Sequence, residues 1–180
     1  MATYTTKAMS SGVTLIVRDA EPADAAAALD YVDGVSPESD FLTMAPGEFE
    51  LTEAQERAVL ERYLNTENHV FLLAEVDGKI VGMCNFAGGR RKRLQHTGSF
   101  GMSVRKAYWG QGIGRVMLDV LIDWATRSPI VKKVNLQVRA DNHRAISLYE
   151  QADFEIEGTE RDGLRVNGVS YDLRLMGMSV

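Results

Sequence analysis

Residues 99–118 read SFGMSVRKAYWGQGIGRVML, a strand-like segment that runs through a glycine-rich turn into an apolar helical pattern. Three glycines fall at alternate positions, 110, 112 and 114. Glycine lets backbone N–H groups converge without a Cβ in the way, and the first turn of a helix adds unpaired donors and a partial positive charge. The stretch therefore predicts an anion-binding cradle at the start of a helix.

The glycine spacing excludes the commonest nucleotide-binding motifs. A P-loop requires GxxxxGK[ST], which is absent, and the dinucleotide fingerprint requires GxGxxG, whereas this turn reads GxGxG. Taken alone, the turn leaves open a second interpretation, a tight strand-to-helix connection that binds no ligand.

The elements on either side of this turn predict a mixed sheet. After Gly112, apolar residues recur at helical spacing as far as Trp124, and Pro129 prevents the helix from continuing. Upstream, strands at 69–75 and 79–86 flank Asp77-Gly78, which favours a two-residue hairpin, and a third strand follows at 97–104. The remaining predicted elements are strands near 13–18, 131–138, 154–160 and 170–176, and helices at 23–32, after Thr52 and after Asn142.

The order of these elements predicts one α/β domain over residues 13–180, with helices on both faces of the sheet. Residues 1–12 are small and polar, and we expect them to be a flexible amino terminus. The linker at 35–51 mixes acidic and aromatic residues, which favours an acceptor site and a solvated loop with two anchored aromatics equally. The basic run Arg90-Arg91-Lys92-Arg93 is predicted to be a solvated hairpin far from the cradle.

Composition narrows the function classes. The 180 residues carry 20 Lys+Arg and 25 Asp+Glu, a net charge of −5, which disfavours nucleic acid as a partner. Cys84 is the single cysteine, so a disulfide within the chain and a cysteine-based metal site are excluded, and a buried, inert thiol is expected. No signal peptide or run of about 20 apolar residues is present, so we expect a cytoplasmic protein without membrane or metal.

Two motifs together resemble those of the GNAT-superfamily N-acetyltransferases. Trp109-Gly110-Gln111-Gly112-Ile113-Gly114 resembles the family's pyrophosphate-binding loop, R/Q-x-x-G-x-G/A, with Trp109 where the family usually has Arg or Gln. Residues 134–150, VNLQVRADNHRAISLYE, resemble the strand and helix that follow, and Ala152-Asp153-Phe154 stands where the family often has GF. The resemblance covers about residues 70–176 well and the amino-terminal third only by element order.

This resemblance implies a GNAT-like fold, in which a mostly antiparallel central sheet has splayed middle strands. It also implies acetyl-CoA as the cofactor, with the pantetheine arm against the first splayed strand and the diphosphate on the glycine-rich turn. The implied cofactor-binding residues are Met102, Ser103, Val104, Gly110, Gln111, Gly112, Ile113, Gly114, Arg115, Asn142 and Ala145. Structural roles, a helix cap for Asn142 and a core aromatic for Tyr149, are the alternatives.

The family chemistry is direct attack of a neutral amine on the thioester, with Tyr149 as the implied general acid. The base is open among Glu75, His96 and a chain of water molecules, and Glu75 is the candidate we include with Tyr149 in the predicted catalytic set.

The implied function is transfer of an acetyl group from acetyl-CoA to the primary amine of a small acceptor, such as an amino acid or a polyamine. Alternatives are acetylation of protein amino termini and a non-catalytic acyl-CoA-binding regulatory module. The resemblance also favours a homodimer.

Overall fold

The computed structural model describes residues 2–9 and 12–180, which fold around one mixed sheet. The strands are β1 (Thr3–Ala8), β2 (Thr14–Asp19), β3 (His69–Val76), β4 (Lys79–Gly88), β5 (Thr97–Val104), β6 (Lys133–Arg139), β7 (Glu155–Val166) and β8 (Val169–Ser179). The α-helices are α1 (Ala25–Val35), α2 (Glu53–Leu64), α3 (Ile113–Arg127) and α4 (His143–Glu150). The strand order is β1-β2-β3-β4-β5-β6-β8-β7, and the pairing is antiparallel except between β5 and β6. No helix in the described ranges has the length and apolar character needed to cross a bilayer.

Strand β1 corrects the prediction of a flexible amino terminus. It pairs antiparallel with β2 at the edge of the sheet, and the Tyr4 hydroxyl donates to the Asp19 carboxylate at 3.0 Å. The segment looked unstructured because most of its side chains are polar, but threonine is β-branched and suits an edge strand that faces solvent. Residues 1, 10 and 11 belonged to the same prediction and lie outside the described residues.

Local sequence signals set two of the boundaries as predicted. Asp77 and Gly78 both adopt positive φ, 50° and 73°, which matches the turn that joins β3 to β4. Thr52 caps α2, because its hydroxyl accepts from the Gln55 amide while the Gln55 side chain accepts from the Thr52 amide.

The helices lie on both faces of the sheet and bury two hydrophobic clusters. On one face, α3 contributes the fully buried residues Met117, Leu118 and Leu121 to the larger cluster. On the other face, α2 packs against β3 and α1 against β4, around Leu60, Leu73 and Met83. Burial of this kind is the main stabilising contribution to such a domain. Cys84 lies inside the larger cluster, where burial raises the pKa of its thiol to about 12 and leaves it unreactive at neutral pH.

The two parallel strands in the middle of the sheet diverge along their length. Residues 97–99 of β5 pair with residues 133–135 of β6, and the pairing ends there. The Asn135 side chain stabilises the paired ends of the two strands by donating to the Thr97 hydroxyl at 2.8 Å and to the Gly98 carbonyl at 2.9 Å. Beyond that point, the β6-facing edge of β5 has no strand partner, so the sheet itself does not use its backbone groups, and those that no side chain binds are available to a ligand.

Candidate functional site

A cleft of about 820 Å³ occupies the gap between the diverging ends of β5 and β6. Its walls come from β5, the glycine-rich turn, the first turn of α3, the end of β6, α4 and the linker between α1 and α2, with one leucine each from β7 and β8. All but one of the residues predicted to bind the cofactor line it. The exception is Gln111, whose side-chain amide instead donates to the Ala107 carbonyl at 3.2 Å.

The glycine-rich turn presents a run of free backbone donors to this cleft. Gly110 and Gly112 have φ of 78° and 82°, values that side chains other than glycine rarely adopt. Within the described part of the chain, no oxygen accepts a hydrogen bond from the N–H groups of residues 110–115. Because these donors sit at the positive end of the α3 dipole, the turn can bind the diphosphate of a nucleotide-like cofactor.

Trp109 at the start of the turn holds it against the end of β5. Its indole Nε1 donates to the Val104 carbonyl at 2.6 Å, and 36% of the residue is exposed. Tryptophan therefore has a structural role at the position where the motif usually has Arg or Gln. The turn and the free edge of β5 are thus joined by one side chain.

The exposed end of β5 is also supported from the opposite face of the sheet. Ser103 lies on the wall of the cleft, and its hydroxyl is 3.0 Å from the hydroxyl of Tyr31 on α1. Tyr31 is 3% exposed, and this burial raises the pKa of its phenol. The pair fixes the strand where the pantetheine arm is predicted to lie.

Helix α4 brings its predicted residues to the facing wall. The Asn142 side-chain oxygen accepts from the Ala145 amide at 3.2 Å, so Asn142 caps the helix while lining the cleft. Its two alternative roles are therefore compatible in the structure.

Tyr149 lines the cleft and keeps its hydroxyl free for a ligand. Its ring packs edge-on against Phe100 with a centroid distance of 5.7 Å and at a tilt against Phe154 with a centroid distance of 6.0 Å. None of the described residues hydrogen-bonds the hydroxyl, which is available to a ligand. Burial raises the pKa of Tyr149, so the phenol is protonated at neutral pH and can donate a proton.

The two side chains proposed as bases lie elsewhere. The Glu75 carboxylate is 2.6 Å from the Arg18 guanidinium, which also binds Asp24, and Glu75 does not line the cleft. His96 is exposed in the loop before β5, at the opposite end of that strand from Val104. The basic run at residues 90–93 is exposed in the same loop, away from the cradle as expected.

The linker segment 38–43, which we call the strap, crosses the mouth of the cleft from one diverging strand to the other. At its first residue, the Glu38 carboxylate accepts from the Arg105 guanidinium at 2.8 Å and from the Lys106 amide at 2.6 Å. Arg105 follows β5 directly, so this contact fixes the strap to that side. The guanidinium lies against Gly34, where any Cβ would be only 2.4 Å from it.

Arg139, the last residue of β6, holds the strap on the other side. Its guanidinium donates to the Asp40 carbonyl at 2.8 Å and stacks between the rings of Phe41 and Tyr171, with centroids at 4.5 and 3.7 Å. Its Nε and Nη2 atoms donate to the two oxygens of the Asp141 carboxylate, at 2.9 and 2.6 Å. These hydrogen bonds lower the pKa of Asp141, which therefore stays ionised and is not a proton acceptor at neutral pH.

Comparisons with known proteins agree with this geometry. Residues 38–154 match the Acetyltransferase (GNAT) family. The chain belongs to this family. A GNAT acetyltransferase from Streptococcus pneumoniae superposes with a TM-score of 0.90 at 34% identity, covering 92% of this chain and 99% of that one. The predicted GNAT-like fold with splayed middle strands is confirmed.

Two curated GNAT relatives have named activities. L-amino acid N-acetyltransferase AaaT of Escherichia coli is 30% identical over 105 residues, which span 58% of this chain and 65% of the relative. N-alpha-acetyltransferase RimI of Mycobacterium tuberculosis is 33% identical over 123 residues, spanning 65% of this chain and 72% of the relative. The yncA structure from Salmonella typhimurium, solved with acetyl-CoA, shares the fold with a TM-score of 0.80 at 20% identity and covers 92% of this chain and 93% of that one.

Sequence reasoning missed the arginines that attach the strap in this GNAT protein. Arg105 and Arg139 bind residues 67 and 99 positions away, so no local pattern links them. The available signal was their position, since each lies at the end of one of the two strands predicted to diverge.

Proposed function

We propose that this protein is an acetyl-CoA-dependent N-acetyltransferase that acetylates the primary amine of a small acceptor. One observation carries the proposal: residues 110 and 112–115, with free backbone donors, and Tyr149, with a free hydroxyl, line one cleft between diverging strands. Acetyl-CoA supplies an acetyl group activated as a thioester. The chain would supply binding, orientation and a proton.

The cleft has suitable groups for each part of the cofactor. The amides of residues 110–115 would bind the diphosphate, because they combine unpaired donors with the positive end of a helix dipole. The free edge of β5 at Met102, Ser103 and Val104 would hydrogen-bond the pantetheine amides as an added strand does, through backbone groups other than the Val104 carbonyl, which accepts from Trp109. Asn142 and Ala145 on α4 would close the opposite side.

Tyr149 is the proposed general acid. Its hydroxyl retains its proton at neutral pH and faces the cleft without a protein partner, so it can protonate the departing sulfur atom. The carboxylate of Asp141 is committed to Arg139, and Glu75 and His96 lie outside the cleft. The ammonium proton of the acceptor would therefore leave through water in the open cleft.

The strap and two leucines of β7 and β8 favour an acceptor with a compact apolar body. Phe41, Leu42, Leu164 and Leu173 line this part of the cleft. Among the described lining residues, Asp141 is the only carboxylate, and it is paired with Arg139. A polyamine would bring a second cation without an available partner. An amino acid or a similar monoamine suits this lining better, in agreement with the name of the Escherichia coli relative.

Acetylation of protein amino termini is the second candidate, and the similarity to RimI favours it. A terminal α-amine next to an apolar side chain has the same local chemistry as a free amino acid. The two candidates differ in whether the mouth of the cleft admits the rest of a peptide chain.

A thiol-release assay with acetyl-CoA and a panel of amines tests the proposal. The panel contains L-leucine, L-phenylalanine, spermidine and a tetrapeptide with a free amino terminus. We expect release with the amino acids or the peptide, and a fall in kcat of roughly 100-fold in Tyr149→Phe with unchanged affinity for CoA. Tyr63→Phe is the control, because its hydroxyl accepts from Asn85 and lies outside the cleft. Tight CoA binding without release for any amine would instead favour a regulatory module.

A further inference from the structure

We propose that Arg144 is a ligand of the coenzyme A diphosphate and that Trp109 holds it in place over the cradle. This inference rests on the proposed function, because it requires coenzyme A in the cleft. It assigns a binding role to a side chain that the loop motif does not contain.

The geometry places Arg144 beside the cradle. Its guanidinium carbon is 5.0 Å from the centre of the Trp109 ring, and both residues line the cleft. Because the indole Nε1 donates a hydrogen bond to the Val104 carbonyl, the ring is held in place at the first residue of the glycine-rich turn and offers a platform for the guanidinium. A stacked guanidinium keeps its in-plane N–H groups free to bind phosphate oxygens.

Arg144 differs from the other arginines of the cleft in its lack of a carboxylate partner. Three arginines line the cleft, and two of them are paired: Arg115 with Asp119 at 2.7 Å, and Arg139 with Asp141 at 2.6 Å. Arg144 has no carboxylate partner among the residues that the structure describes. In a chain with a net charge of −5, an uncompensated cation next to unpaired N–H groups is a site for an anion.

The position of Arg144 within α4 supports the same conclusion. It is the second residue of the helix, where the helix dipole disfavours a positive charge. A bound phosphate would stabilise the guanidinium, the helix end and the cradle amides together. Arg144 would thereby supply the side-chain contact that is lost when tryptophan occupies the Arg/Gln position of the loop.

Calorimetry with three ligands tests the assignment. CoA carries a diphosphate and a 3′-phosphate, 3′-dephospho-CoA carries the diphosphate alone, and S-acetylpantetheine has no phosphate. We expect Arg144→Gln to weaken CoA and 3′-dephospho-CoA equally, by about tenfold, and to leave S-acetylpantetheine unchanged. Arg144→Lys, which keeps the charge, should recover part of the loss.

Two further variants separate a local contact from a general charge effect. Arg93→Gln removes the same charge from the distant basic run and should change CoA affinity by less than about twofold. Trp109→Leu removes the platform, and Arg144→Gln should cost less affinity in that background than in the native chain. Melting temperatures identify any variant that fails to fold.

Each outcome decides the assignment. Unchanged affinity in Arg144→Gln, or an equal loss in Arg93→Gln, would overturn it. A loss for CoA but not for 3′-dephospho-CoA would place the contact on the 3′-phosphate and overturn the diphosphate assignment. Absence of CoA binding by the native chain would refute the proposed function itself, which is a separate result.

Discussion

The cradle and the strap line one cleft and are built by different means. The cradle uses the backbone amides of consecutive residues, 110–115, and needs glycine at positions of positive φ. The strap uses side chains, and its contacts join residues 67 and 99 positions apart. A backbone site suits a cofactor that all members of a family share, whereas a site held by side chains can change with the acceptor.

The largest effect, a loss of CoA affinity, is expected from a substitution in the cradle. Gly112→Asp places a carboxylate where the phosphate charge would lie, so we expect CoA affinity to fall by more than about 100-fold while the chain still folds. Gly168→Asp is the matched control, because Gly168 has a similar φ, 80° against 82°, and lies in the turn between β7 and β8. Calorimetry measures both variants. An equal, small loss in the two would show that the cradle binds no phosphate.

A smaller effect, confined to the acceptor KM, is expected from a substitution that loosens the strap. Arg139→Lys removes the forked contact with Asp141 and the stacking between Phe41 and Tyr171, so the strap is held less firmly. We expect the acceptor KM to rise about tenfold while the acetyl-CoA KM stays unchanged, as steady-state kinetics would show. Arg57→Lys, on an exposed pair of α2, is the control. If both KM values rose together, the cradle and the strap would not act on separate ligands.

The smallest effect is expected from alkaline pH. Burial raises the pKa of Tyr149 above its usual 10.0, so the proton-donating form persists as pH rises. With saturating amine, kcat should therefore not decline between about pH 8 and pH 10, whichever acceptor is used. A decline with a midpoint below pH 10, at constant secondary structure by circular dichroism, would argue against Tyr149 as the acid.

The sequence predicted most of the fold because the signals were local. The Asp77-Gly78 turn, the Thr52 capping box and the apolar spacing of α3 each depend on residues close together in the chain, and each is present in the structure. Strand β1 was missed because an edge strand of threonines lacks an apolar alternation.

Part of the candidate site could be located from the sequence for the same reason. Glycine spacing pointed to the cradle, and the resemblance of residues 134–150 pointed to α4. The strap was not predictable in detail, because its position depends on where Arg105 and Arg139 end up when two strands diverge. Glu75 was chosen for its place in a central strand, but strand position does not reveal which face a carboxylate takes or that Arg18 binds it.

A crystal structure of the complex with coenzyme A tests the central claim most directly. We predict the diphosphate within hydrogen-bonding distance of the amides of residues 110–115, and the sulfur between the end of β5 and the Tyr149 hydroxyl. Coenzyme A bound outside the gap between β5 and β6, or a diphosphate that makes no contact with the glycine-rich turn, would contradict it.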